Sequence, residues 1–396
     1  MTVTDEQFGE RIRVARERFH LTQQELGEFV GLSTADIDAL ERGTQDFGTG
    51  ALMRIAYALG RNLREFFEDS FADSGALSAL FRADVEIRDR HRLTRALQEG
   101  MAHALQFTSL EAMLGIRREA LLPTAAGLAD PGNFDEAVQQ GEHIAATERL
   151  RLRLGEQSID RIQHLLEMQG VGSMAAPLPD SVSGVMLFEA RIGAFVLFNS
   201  AQPLTRRRFS IAHEYGHVLM DRHRLGCLSR IDARDDLIER RADAFAAAFL
   251  MPADGVRRIA ARRSHARQPA MAVDREILQP STVGMLHVAA VAQAFGVSRR
   301  SALRRLRNLQ LVSMEEFEAL RSEEARGVGQ PYSTLLGLFN PPEADSRRES
   351  RGRLLGLACE AYRLEKISRG KLNEIGQLAG FERGAITRMV EALGME

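Results

Sequence analysis

The sequence predicts a mainly α chain with one small β-sheet, an α+β arrangement, and three features carry that expectation. Residues 8 to 67 place Ile12, Val14, Leu21, Leu26, Val30, Ile37, Leu40, Leu52, Ile55 and Leu59 at helical spacing, with Gly31, Gly43, Gly48 and Gly60 as punctuation, which reads as a run of short helices. Strand signals lie mainly in SGVMLFEA and GAFVLFN, two apolar runs separated by Arg191, Ile192 and Gly193, a spacing that suits a hairpin. Directly after them, RRRFSIAHEYGHVLM has the apolar periodicity of an amphipathic helix.

The remaining elements follow in order. From about 76 to 122 the pattern is helical and charge-rich, and Pro123 with the Gly/Ala/Asp/Pro stretch to Gly132 breaks it, so 71–134 reads as a helical connector. Helices are expected over Asp135 to Leu154 and Ser158 to Gln169, where Ile159, Ile162, Leu165 and Leu166 make one apolar face that Gly170 ends. Beyond Met251-Pro252 come a basic helix, a loop around Pro269 to Pro280 and a helix pair broken at Gly296. Gly, Pro and charge make 326 to 350 a linker, and 351 to 394 is helical again. No fixed-period repeat is visible, which argues against a solenoid.

Composition bounds the function. At 396 residues the chain exceeds one ordinary domain and suggests about two to three units. With 44% apolar and 27% charged residues it has the profile of a soluble globular protein rather than a disordered one, and no window approaches a membrane span. The N-terminus MTVTDEQFGERIRV has acids where a signal peptide needs apolar residues, so a cytoplasmic location with no membrane partner is expected. Cys227 and Cys359 are too few and too far apart for a disulfide framework or a CxxC knuckle.

The chemistry concentrates in His213-Glu214-Tyr215-Gly216-His217. On a helix two imidazoles four residues apart project from one face, ~6 Å along the axis, and grip one ion, which zinc suits as a borderline acid. Glu214, beside the first histidine, is placed to take a proton from metal-activated water. A catalytic zinc needs a third protein ligand, and Glu239, which opens ERRADAFAAAFLMP, is the best downstream carboxylate; Asp235, Asp236, Asp221 and Cys227 are its rivals. Asp243 shares the face of Glu239 at i+4 and is suited to accept the remaining N–H of a ligand histidine, against the plainer alternative of an exposed or capping carboxylate. Tyr215, His223 and His287 are the available oxyanion donors, none placed by sequence near a scissile carbonyl. The hairpin before the HEYGH helix offers an edge strand on which an extended substrate could add, which favours a peptide.

Residues from about Asp135 to Val312 resemble the ImmA/IrrE family of bacterial metallopeptidases, through the strand ending FVLFNS, the helix RRRFSIAHEYGH and the later ERRADAFAAAFLMP. The resemblance implies a zincin-like fold over 135–315 and a zinc-dependent, gluzincin-like endopeptidase that cleaves a repressor protein, often a helix-turn-helix one, under stress or during mobile-element induction. Matching motifs would make His213, His217 and Glu239 the ligands and Glu214 the catalytic acid and base. Many relatives carry a His four residues after the second ligand, where this chain has Asp221, with His223 nearby.

TQQELGEFVGLSTADIDALERG fits a helix-turn-helix, with Leu26, Val30, Leu32, Ile37 and Leu40 on core positions, Gly27 at the crossing and Gly31 in the turn. It resembles the Xre/Cro type, which would put Gln23 near phosphate and Ser33, Thr34, Ala35, Asp36 and Asp38 along the recognition helix over duplex DNA. Within 1–70, however, Asp and Glu outnumber Arg, and aspartates on a reading helix repel the backbone and lack the donors that read guanine. A dimerisation or protein-docking module is the competing reading, which brings a second copy of the chain in as a partner. LHVAAVAQAFGVSRRSALRRLRNLQLV sets Arg299, Arg300, Arg304, Arg305 and Arg307 on one helix, either a solvated face or a nucleic-acid surface. In the tail, Gly376, Gly380, Ile386 and Met389 have the spacing of a further helix-turn-helix. Without Trp the chain is poorly equipped for base stacking.

The expected organisation is thus an all-α helix-turn-helix domain (1–70), the connector, a zinc peptidase domain (135–315) and a linker with a helical C-terminal region (316–396). A transcriptional regulator whose peptidase-like domain senses a metal or ligand, and a toxin-antitoxin component, are the alternatives.

Overall fold

The computed structural model describes residues 3–18, 21–59, 61, 63–68, 87–189, 191–224, 226–230, 236–265, 283–335 and 346–392. The first helices are α1 (Asp5–Arg18), α2 (Gln23–Val30), α3 (Thr34–Glu41) and α4 (Thr49–Ala58), followed by a 3-10 turn over Leu63–Phe67. Local chemistry sets their bounds. Thr22 and Glu25 form a capping box that starts α2, Ser33 and Asp36 form another that starts α3, and Gly31 between them has φ of 70°. Gly27 lets the helices cross closely, since a Cβ there would stand 2.6 Å from the Leu32 carbonyl oxygen. A buried bidentate pair, Arg16 Nε to Glu41 Oε1 at 2.6 Å and Nη2 to Oε2 at 2.9 Å, ties α1 to α3.

Helix α5 (Ile87–Met113) is followed by α6 (Phe134–Arg151) and α7 (Ile162–Met168), which begins later than its apolar pattern suggests because 158–161 form no helical turn. The sheet has strands β1 (Gly172–Ala176), β2 (Val182–Glu189), β3 (Gly193–Asn199) and β4 (Gly226–Arg230) in the order β1-β3-β2-β4, with β1 parallel to β3 and the other pairs antiparallel. The hairpin is therefore the middle of the sheet, and β1 and β4, not β2 or β3, are its edges. Its apolar runs are continuous because both faces are covered. Met186, Ala194, Val196 and Phe198 enter one core, and Val185, Leu187, Phe195 and Leu197 enter the other.

The first of these cores contains Ile211, Ala212, Tyr215 and Val218 of α8 (Leu204–Met220) and Phe245 and Phe249 of α9 (Leu237–Leu250). The second contains Leu93, Leu97 and Met101 of α5 together with Ile12, Leu26, Ile37, Ile55 and Phe66 of the first helices. The stretch read as a connector thus enters the core through α5, while most of 112–134 is exposed and 69–86 lie outside the described residues. After α9 come α10 (Ala253–His265), α11 (Met285–Phe295), α12 (Arg299–Asn308), α13 (Met314–Ala325) and α14 (Gly329–Leu335). The loop expected at Pro269 to Pro280 falls outside the described residues. Part of the expected linker is helical, since α14 packs Tyr332 against the first core and α15 (Ser346–Arg363) starts before residue 351. α15, α16 (Arg369–Leu378) and α17 (Arg383–Ala392) share a third core with Phe107 and Leu110 of α5. No described helix is long and apolar enough to cross a membrane.

Gly141 of α6 sits where α9 passes, and a Cβ there would meet the Arg241 carbonyl oxygen at 2.3 Å and the Phe245 nitrogen at 2.8 Å. Both obstacles are backbone, so the helices must part. Gly141→Ala is expected to cost about 2–3 kcal/mol, read as a lower midpoint in chemical denaturation, and an unchanged midpoint would show that the crossing is not tight.

Candidate metal centre

Helix α8 carries His213 and His217 on one face while its other side enters the core, and α9 crosses it at Gly216, where a Cβ would stand 2.9 Å from the Phe245 ring. Asp236 caps α9, accepting from Ile238 N at 2.8 Å, and so fixes where its first turn and Glu239 lie. The result is convergence. His213 Nε2 is 3.3 Å from Glu239 Oε2, His217 Nε2 is 3.2 Å from Glu239 Oε1, and the two Nε2 atoms are 3.1 Å apart. His213, His217 and Glu239 offer their ligand atoms within 4.8 Å of one another, a set that can hold a metal ion.

Each histidine is oriented from behind. His213 Nδ1 is 3.0 Å from Asp243 Oδ1, and His217 Nδ1 is 2.8 Å from Asp221 Oδ2. With Nδ1–H donated to a carboxylate, Nε2 keeps its lone pair for the centre. Asp221 is fully buried and is itself held by Arg241, also fully buried, whose Nη2 lies 2.5 Å from Asp221 Oδ1. Arg241 Nη1 further donates to Gln140 Oε1 at 2.8 Å and to the Ala129 carbonyl at 3.1 Å.

Glu214 is completely buried, and neither carboxylate oxygen makes a hydrogen bond among the described residues. Burial pushes its pKa up to about 7, against the opposing pull of the two histidines. Its carboxylate occupies room left by Gly184 of β2, where a Cβ would be 2.4 Å from Glu214 Oε1. The register between β2 and β4 shifts between Val182 and Gly184, so Ser183 forms a bulge next to this carboxylate. Burial alone would lower the pKa of His213, but Asp243 and Glu239 outweigh it and raise it to about 10. For His217 burial is likewise outweighed, by Cys227, Asp221 and Glu239. Burial would raise Glu239, and the two histidines hold it well below the usual carboxylate range instead.

A cleft of about 790 Å³ opens onto the centre, lined by His213, Glu239 and Asp243 together with Arg300, Arg304 and Arg307 of α12. Of the rival ligands, Asp221 is engaged with His217 and Arg241, Asp236 is the α9 cap, Cys227 is buried on β4, and Asp235 lies outside the described residues. None of the considered oxyanion donors lines the cleft. Tyr215 is buried in the core and donates to Glu148, His223 is exposed, and His287 sits in the first turn of α11, where its Nδ1 accepts from Gly284 N. Sequence reading missed Arg241 and Gly184. The signals were there, in an arginine on the apolar side of α9 and a lone glycine inside a strand.

In the N-terminal helices Thr34 and Ala35 are exposed, whereas their neighbours have protein partners. Gln23 Nε2 donates to Glu41 Oε2 at 2.9 Å, Ser33 and Asp36 cap α3, and Asp38 pairs with Arg42.

Residues 167–307 match the family model described as the IrrE N-terminal-like domain, peptidase M78. A 67-residue stretch, 17% of this chain, is 36% identical to 48% of an uncharacterized HTH-type transcriptional regulator from Sinorhizobium medicae (strain WSM419), and equally to one from Rhizobium meliloti (strain 1021). A third such regulator, from Sinorhizobium fredii (strain NBRC 101917 / NGR234), is 36% identical over 66 residues and 46% of its length. The chain thus spans about half the length of these curated relatives. The family match takes in His213, Glu214, His217 and Glu239, and residues 167–307 are accordingly similar to the IrrE N-terminal-like domain, peptidase M78.

Proposed function

We propose that this protein is a zinc-dependent endopeptidase that cleaves a transcriptional repressor, joined to a helix-turn-helix module that binds duplex DNA, and that it regulates stress-response or mobile-element genes. The observation that carries the reading is the convergence of His213, His217 and Glu239 beside a buried Glu214 whose carboxylate makes no hydrogen bond among the described residues. Two imidazoles and one carboxylate are the donor set of a catalytic zinc that keeps one position open. Zinc, when bound, supplies Lewis acidity toward the scissile carbonyl and toward water. Asp243 and Asp221 hold the imidazole rings in the orientation that turns Nε2 inward. Glu214 takes a proton from the attacking water at its carboxylate and passes it to the leaving amine, a task suited to a carboxyl group whose pKa lies near 7.

A purely metal-sensing domain has no use for a buried carboxylate next to its ligands, which favours hydrolysis over sensing. DNA binding is supported by the helix-turn-helix geometry, the exposed Thr34 and Ala35, and the names of the relatives. Gln23, Ser33 and Asp38 would have to leave their internal partners to contribute. The test is co-expression with repressors encoded nearby, scored by mass spectrometry for a discrete cut. Cleavage by the wild type and its loss with His213→Ala are expected; cleavage that survives that substitution would exclude this site.

Gly184→Ala should lower peptidase activity on the order of a hundredfold by displacing the Glu214 carboxylate, with bound zinc unchanged. Full activity would mean that Glu214 does not work from its observed position.

A further inference from the structure

The cleft carries an excess of positive charge that the metal chemistry does not use. On α12, Arg299 is paired with Glu324 at 2.7 Å, and Arg305 is buried between Glu142 and the Met251 carbonyl oxygen, to which it donates at 3.0 Å. The other three arginines are different. Arg300, Arg304 and Arg307 fall at i, i+4 and i+7, so they share one helical face, and that face lines the cleft. Arg206 of α8 joins the same lining. None of these four has an ion-pair or hydrogen-bonding side-chain partner among the described residues. No acid of neighbouring α13 lines the cleft, and there Glu318 is paired with Arg321 and Glu324 with Arg299. Arg240, whose guanidinium lies over the Phe134 ring, lines the same cleft.

Unneutralised guanidinium groups in a concave site call for carboxylates or phosphates. The same cleft holds Phe209, Ala247 and Phe317, apolar surface suited to side chains, and includes His213 and Glu239. Its volume fits a short stretch of polypeptide and does not admit a duplex. We infer that the cleft receives a polypeptide whose residues flanking the scissile bond are acidic, with Arg300, Arg304 and Arg307 as the receiving face; the inference rests on the peptidase reading for the bond, and on the cleft's charge for the sequence preference.

Binding is measured separately from cleavage, with the full-length Glu214→Gln protein loaded with zinc and fluorescein-labelled peptides alternating Glu with Ala, Gln with Ala or Lys with Ala. The Glu peptide should bind best, weaken as salt rises, and lose about tenfold or more in affinity in the Arg300→Glu, Arg304→Glu, Arg307→Glu triple variant. That variant should in turn gain affinity for the Lys peptide, which also shows that it is folded. Equal binding of Glu and Gln peptides, or an unchanged preference in the triple variant, overturns the inference, as does a labelled DNA duplex that binds at these arginines in place of the Glu peptide. Acidic-peptide binding without cleavage of any repressor would retain this inference and remove the peptidase reading. Repressor cleavage that the triple variant leaves unchanged would do the reverse.

Discussion

Glu214→Gln should abolish hydrolysis while leaving the metal in place. Glu214 is not one of the three converging ligands, so elemental analysis is expected to find zinc in the variant at the wild-type ratio, and to find it lost from His213→Ala. The amide has the shape of the carboxylate but takes up no proton, and loss of general acid-base catalysis costs about 10²–10⁴-fold in rate. Folding should not suffer. The wild-type carboxylate has no hydrogen bond to lose among the described residues, and replacing a buried ionisable group by a neutral one removes a desolvation cost. Wild-type cleavage by the zinc-loaded variant would take Glu214 out of the mechanism.

Arg241→Ala is expected to give the largest loss of stability. The guanidinium is fully buried and is the strongest support of Asp221, which is equally buried and orients His217. Burial alone would raise the Asp221 carboxyl, and His217 and Arg241 outweigh it, so the group stays charged. Removing one partner of a buried pair leaves the other charge uncompensated, at about 3–5 kcal/mol. Chemical denaturation of the metal-free protein reads this cost directly. A second readout is zinc affinity, which should fall by about 10–100-fold because His217 loses its fixed orientation. Wild-type stability and zinc affinity together in Arg241→Ala would show that Asp221 is held by other means.

The site was legible where chemistry follows from spacing along one helix. HEYGH sets two imidazoles on one face, and ERRADAF offers a carboxylate on the next helix. Tertiary neighbours decided the rest. Arg241 stands on the apolar side of α9 in the sequence pattern, but only the crossing of α6, α8 and α9 supplies its buried partners. GSMAA and GCLSR contain no β-branched residue, so β1 and β4 draw their strand conformation from pairing with β3 and β2. For that reason the sequence pattern points to the hairpin as an edge, and pairing gives the edges to β1 and β4. Gly, Pro and charge give 326–350 the composition of a linker, while Tyr332 anchors α14 to the core.

The sheet has a thermodynamic consequence. One of its faces shares a core with the metal-bearing helix, the other with the first helices, so the two halves of the molecule rest on a common wall. Ligands on either side of it obey reciprocity: whatever factor metal occupancy places on the affinity of the N-terminal helices for a partner, that partner places the same factor on the affinity for the metal.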